Sequence, residues 1–198
     1  MVRLTSREIA NISVLTALSA AMMLAGFEYS FIYLPYLKFD IAELPVYIIA
    51  IFFGPFPAFI STGIIGLIVA LRNPVGAVFK FLSILTNGIP LALLIKLPEK
   101  AFRSGKDYKT VLCYLWLGGI ISVIIRSLLM TIFNYILIEI LISPIETWAS
   151  IFGYTVSLLL LLTFVFNIIQ GLINVGGAIL IVSKLPPEWV PDWLRRSE

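Results

Sequence analysis

Three carboxamide side chains, Asn167, Gln170 and Asn174, lie three and four residues apart inside an apolar run from Val156 to Val182. At that spacing they share one face of a helix. An amide left unpaired in hydrocarbon costs roughly 2 to 7 kcal/mol, so this face must meet another helix or a ligand. A second polar line, Ser127, Thr131 and Asn134, recurs four and three apart in the stretch from Val111 to Leu141. Two helices can therefore direct amides into one cavity, or the amides can bond each other across a helix contact for about 0.6 to 2 kcal/mol. On periodicity alone the contact between helices is the simpler reading. Arg126 sits near the middle of the same stretch, where a charge costs about 2.5 to 3.5 kcal/mol, and it must face protein, water or a carboxylate. It is one residue off the Ser127 face, so its partner is a ligand, another subunit or an internal acid.

The elements that carry these side chains are read from composition. Of the 198 residues, 60% are hydrophobic and 13% charged, with a mean hydropathy of +1.04, whereas soluble domains are about 45 to 50% apolar and about 25% charged. An all-α integral membrane protein is expected. With no histidine and one cysteine, Cys113, a catalytic triad, a histidine relay, an internal disulfide and the usual zinc site are all disfavoured.

Six apolar segments follow: Ile9 to Phe27, Pro45 to Gly54, Ala58 to Leu71, Val78 to Leu97, Val111 to Leu141 and Phe152 to Val182. The second and third fall short of the about 20 residues that a straight span needs, and they join across Gly54-Pro55-Phe56-Pro57. The first serves as a span rather than a cleaved leader. A compact bundle of six transmembrane helices is predicted, a single membrane-embedded substrate-binding domain over 1–198 with cytoplasmic tails at 1–8 and 185–198. Six spans gather Arg3, Arg7, Lys96, Lys100, Arg103, Lys106, Lys109, Lys184, Arg195 and Arg196 on one side, ten of the fourteen basic residues. Basic loops stay in the cytoplasm, so both termini are assigned there, in the cell membrane. The opposite side carries Lys38 and Arg72, with Lys80 near it. The outward stretch from Glu28 to Asp40 is rich in aromatic residues, fitting either an interfacial belt or a lid over a ligand.

Ala17, Ala21 and Ala25 recur every fourth residue of the first segment, extended by Ser13. Such a small-residue stripe lets another helix approach closely, within the bundle or from a partner. There is no phosphate-binding G-x-x-x-x-G-K-[ST] loop, and the spans show no paired carboxylates for proton or sodium coupling. An enzyme would need a nucleophile, base or metal cluster, and only scattered serines and threonines are present. No enzyme and no cofactor is expected. A membrane assembly protein would also explain the stripe and the amides.

Six spans, Ala17 and Ala21, the segment LKFDIAELP from Leu37 to Pro45, the Gly54-Pro55 turn and FNIIQG from Phe166 to Gly171 resemble the substrate-binding S component of energy-coupling-factor (ECF) vitamin transporters. The riboflavin-specific branch is the most similar, with a last span that reads F-N-x-x-K-G and an asparagine on the preceding one. The resemblance covers nearly the whole chain. It implies that Asn134 and Asn167 bond the flavin ring and that Leu37, Phe39 and Asp40 belong to a loop closing over the vitamin. It also implies that Ala17, Ala21 and Ala25 meet a membrane-embedded coupling subunit driven by two cytoplasmic ATPases. Riboflavin is then the transported ligand, and another vitamin is the alternative.

Two positions depart from that pattern. Gln170 stands where the branch has lysine. GAVFKF, from Gly76 to Phe81, stands where it has G-E-x-x-N-F, so that Ala77 replaces an acid and Lys80 an asparagine. If the positive charge has moved from one helix to another, Lys80→Ala weakens ligand binding strongly. A flavin suits such a site. Its ring offers acceptors and one imide donor that amides satisfy in both directions, and its ribityl hydroxyls suit Thr131 and Ser127.

Overall fold

The computed structural model describes residues 4–26 and 28–194. Phe27 and the basic residues Arg3, Arg195 and Arg196 lie outside them. Helix α1 (Ser6–Ala25) begins where Thr5 accepts from the Glu8 amide while the Glu8 carboxylate accepts from the Thr5 amide at 2.7 Å. That exchange satisfies two of the donors a helix start leaves open.

An antiparallel hairpin follows, β1 (Glu28–Phe31) and β2 (Leu34–Asp40), with Glu28 opposite Asp40 and Tyr29 opposite Phe39. This departs from the purely helical expectation. The two-residue connection Ile32-Tyr33 carries none of the Asn-Gly or Gly-X chemistry that announces a hairpin, and the ladder is irregular between Ser30 and Phe31. Aromatic packing holds the hairpin instead. Phe39 and Phe31 lie 4.7 and 5.7 Å from the Phe166 ring, while Ile32 stays 83% exposed.

Helix α2 (Leu44–Phe53) is apolar on every side, and Pro45 through Ile51 are all buried. A helix of that pattern belongs in the middle of a bundle. It packs against α1, α3 (Pro55–Ala70), α4 (Pro74–Leu94) and α8 (Val156–Lys184). Ten residues rise only about 15 Å, half of a ~30 Å hydrocarbon core. The chain reverses into α3 at Gly54, whose φ of +85° is open to glycine but strained for other residues. Helix α4 starts four residues before the expected Val78, because Asn73 caps the Gly76 amide at 2.9 Å and Pro74 occupies the first turn.

A short basic helix α5 (Lys96–Arg103) leads to α6 (Tyr108–Leu141), and α7 (Ile145–Ile151) precedes α8. The long helices α6 and α8 cross closely at glycines. A methyl group on Gly119 would sit 2.7 Å from Ile179 Cδ1, and one on Gly171 would sit 2.9 Å from Val123 Cγ1. Two 3-10 turns, Pro187–Trp189 and Asp192–Leu194, flank the buried Val190 and bring Leu194 into the core. Among the described residues four helices are long and apolar enough to cross a membrane, and α2 and α3 are shorter apolar helices beside them.

The interior has two apolar cores. The larger surrounds α2 and reaches toward Val190, and the smaller joins the hairpin, α7 and the start of α8 through Leu34, Ile145 and Leu159.

Candidate ligand-binding cavity

A cavity of about 460 Å³ opens beside these two cores. Its walls come from Tyr36, Leu37 and Asp40 of the hairpin, Phe79 and Lys80 of α4, Met130 and Asn134 of α6, and Phe166, Asn167 and Gln170 of α8. Met22 and Met23 of α1 close another side. Six of the eight expected binding residues therefore border one space: Leu37, Asp40, Lys80, Asn134, Asn167 and Gln170. The other two do not. Phe39 turns onto Phe166, and the Thr131 hydroxyl donates back to the Ser127 carbonyl at 2.8 Å, as Ser127 does to Val123.

The amide face of α8 divides its work. Gln170 Nε2 donates to the Asp40 carbonyl at 2.8 Å, and its Oε1 accepts from the Asp40 amide at 3.3 Å. Asn174 Nδ2 donates to the same carbonyl at 2.8 Å. Both amides thus fasten the end of β2 to α8, extending the hairpin's hydrogen bonding through side chains. Asn167 donates to the Thr163 carbonyl at 2.9 Å and accepts from Arg126 Nε at 3.5 Å. Asn134 donates to the Met130 carbonyl at 2.7 Å, and its buried Oδ1 has no partner among the described residues. Asn134 and Asn167 do not bond each other.

Arg126, 1% exposed, finds the internal acid that its depth demands. Its Nη1 donates to Glu43 Oε2 at 2.5 Å and to Tyr47 Oη at 2.9 Å, and its Nη2 donates to Ser83 Oγ at 2.6 Å. Tyr47 Oη donates to Glu43 Oε2 at 2.6 Å. Lys80 Nζ reaches Glu43 Oε1 at 2.7 Å and Asp40 Oδ2 at 2.6 Å. Two cations therefore face two carboxylates; the Tyr47 and Ser83 hydroxyls also donate to Glu43, and the Ala42 amide donates to Asp40 Oδ1. Burial holds the Asp40 carboxyl, at the hairpin's end, above its ordinary value, against the opposing pull of the Lys80 ammonium.

Glu43, Tyr47 and Ser83 are the site residues that sequence reasoning missed. Arg126 was the available signal, since a guanidinium in mid-span requires an acid, yet Glu43 lies 83 residues away along the chain. It stands just before α2, and its neighbours gave no hint that it would be fully enclosed.

Ala17, Ala21 and Ala25 point away from all of this. They are exposed on the outer face of α1, with Ser13, whereas Thr16 and Ser19 turn inward. Thr16 pairs with Ser61 of α3 at 2.8 Å, and Ser19 donates to the Ala42 carbonyl.

A solved structure of the S component of a bacterial ECF transporter superposes with a TM-score of 0.65, covering 88% of this chain and 92% of its own at 22% identity, a likeness of fold. No curated protein matches the chain. The family model for the ECF transporter, substrate-specific component, matches residues 7–182. The chain thus belongs to the substrate-specific components of ECF transporters, membrane subunits that bind a transported substrate and are not enzymes.

Proposed function

We propose that this chain is the high-affinity receptor of an ECF importer and that riboflavin is its ligand. The observation that carries the reading is the buried Oδ1 of Asn134, without a partner among the described residues, on a cavity wall that it shares with Met130, Ile138 and Phe166. An acceptor left dry in such a place costs about 1 to 3 kcal/mol unless a ligand donor fills it. The imide N–H of an isoalloxazine is such a donor. The Asn134 and Asn167 amide nitrogens each keep one N–H beyond the bond to the preceding turn, and these suit the ring's acceptors. Phe79, Phe166 and Leu37 give the flat ring its apolar contact, and excluding water around it supplies most of the affinity.

In this reading α1, α2, α3, α4, α6 and α8 are six membrane segments of one domain, both termini face the cytoplasm and the cavity opens outward. The hairpin closes over bound vitamin. The exposed Ala17, Ala21 and Ala25 stripe is the face for a membrane-embedded coupling subunit, itself driven by two cytoplasmic ATPases. No phosphate-binding loop exists in this chain, which suits a receptor powered by partners.

Gln170 and Lys80 favour a second reading, another vitamin. Gln170 is committed to the hairpin, and Lys80 is held by two carboxylates, so the lysine of the riboflavin branch has no unpaired counterpart here. Isothermal titration of the detergent-purified protein against riboflavin and the other B vitamins decides between them. Nanomolar riboflavin binding, about 12 kcal/mol, with a yellow protein is expected. Tighter binding of a non-flavin vitamin replaces riboflavin as the ligand.

A further inference from the structure

The floor of the cavity spends its charge on itself. Lys80 and Arg126 face Asp40 and Glu43, and each of the four lies in at least one ion pair of 2.7 Å or less. Arg126 is engaged by Glu43, Tyr47, Ser83 and Asn167, leaving Lys80 as the cation that the floor presents to open space, with Lys38 and Arg72 on the rim. Its occupant comes from the hairpin. Asp40 is fixed there by its own backbone, which α8 grips through Gln170 and Asn174, and by the bond that its Oδ1 accepts from the Ala42 amide at 3.0 Å. A carboxylate held at that many points is placed on Lys80 before any ligand arrives.

We infer that Asp40 is a built-in counter-ion for Lys80 that makes the cavity select ligands without net charge. The inference rests on this cavity being the site of the transported ligand. An anionic ligand that bonds the remaining Lys80 donor adds a charge to a floor whose two cations and two carboxylates already balance, and one that displaces Asp40 leaves that carboxylate buried without its partner. A cationic ligand finds both carboxylates already taken. An uncharged ligand leaves the four charges as they are and gains its affinity from the apolar walls and the amides. Charges nearer the mouth do not alter this balance: Lys38 pairs with Glu28 at 2.7 Å, and Arg72 is exposed, donating to the Leu24 carbonyl. A carboxylate that merely latched the hairpin would weaken every ligand equally when removed. A counter-ion changes which ligand is preferred.

Titration of the purified full-length protein separates those roles. The probes are riboflavin against flavin mononucleotide, and nicotinamide against nicotinate, each pair alike except for an anionic group. Wild-type protein is expected to hold the uncharged member of its preferred pair at least tenfold more tightly. Asp40→Asn, which keeps the backbone grip of α8, is expected to shift that ratio toward the anion by tenfold or more. Lys80→Gln is expected to push it the other way. The double variant Asp40→Asn with Lys80→Gln removes both charges together and is expected to keep the wild-type preference even where one unbalanced charge unfolds the protein. Ratios that do not move in the single variants overturn the inference, as does a double variant that prefers the anion. A wild-type preference for either anionic probe also overturns it. If nicotinamide binds and riboflavin does not, the flavin assignment fails while the charge selection stands.

Discussion

Helices α1 and α8 carry the same kind of signal and use it in opposite directions. Each has small or polar residues at three- and four-residue spacing. On α8 the face formed by Asn167, Gln170 and Asn174 is wholly buried, and every member bonds across to another element or into its own helix. On α1 the Ala17, Ala21 and Ala25 face is exposed, while Thr16 and Ser19, on the opposite side of the helix, make the inward contacts. Periodicity groups residues on a face without saying where that face looks. Burial supplies the direction, and chemistry explains it: carboxamides cannot be left in lipid, whereas alanine can.

The largest effect that tests this contrast is expected at the partner of the buried face. Arg126→Met leaves Glu43 enclosed with Lys80 as its only cation and should cost about 3 to 5 kcal/mol of stability. Thermal unfolding in detergent measures it, and adding Glu43→Gln should recover much of the loss. A melting point unchanged by Arg126→Met would show that the internal pair does not hold the inner face.

Next comes Asn134→Leu, which removes the open acceptor on the cavity wall. Vitamin affinity should fall roughly ten- to a hundredfold, the scale of about 1 to 3 kcal/mol for a buried hydrogen bond. Titration against the wild-type ligand reads this directly, and equal dissociation constants would remove Asn134 from recognition.

Gln170→Ala should be milder. It releases two hydrogen bonds to Asp40, each worth about 1 kcal/mol, while Asn174 still holds the carbonyl. Faster amide hydrogen exchange confined to residues 28–40 is the expected signature. Exchange that rises evenly through the bundle would mean that Gln170 supports the whole fold instead of the hairpin.

The outer face should show the smallest change within the isolated chain. Ala17→Leu with Ala21→Leu should leave stability within about 0.5 kcal/mol of wild type, since both sites are exposed, and ligand affinity unaltered. Co-purification with the coupling subunit should nonetheless be lost. Retained assembly would make the stripe an ordinary lipid-facing surface.

Much of this is legible in the sequence. Residues separated by one or two helical turns report reliably on a shared face, so the α8 amides and the α1 alanines were visible as groups. Arg126 announced an acid by its depth alone. The hairpin was not legible, because aromatic packing on Phe166 stabilises it and Ile32-Tyr33 carries no turn signature. Nor was Glu43, since the cation that encloses it is 83 positions distant. The bond from Gln170 to Asp40 was no more legible, because the two lie 130 residues apart along the chain.

Composition and local spacing alone determined that this is a membrane bundle, which residues travel together on each helix, and that a mid-span arginine needs an acid, because these depend on hydropathy and the 3.6-residue turn. Only the tertiary structure decided how the helices rotate about their axes, which carboxylate meets which cation, and that β2 ends against α8. Those outcomes belong to contacts between distant segments, where the cost of an unpaired buried charge or amide selects one arrangement from the many that local pattern permits.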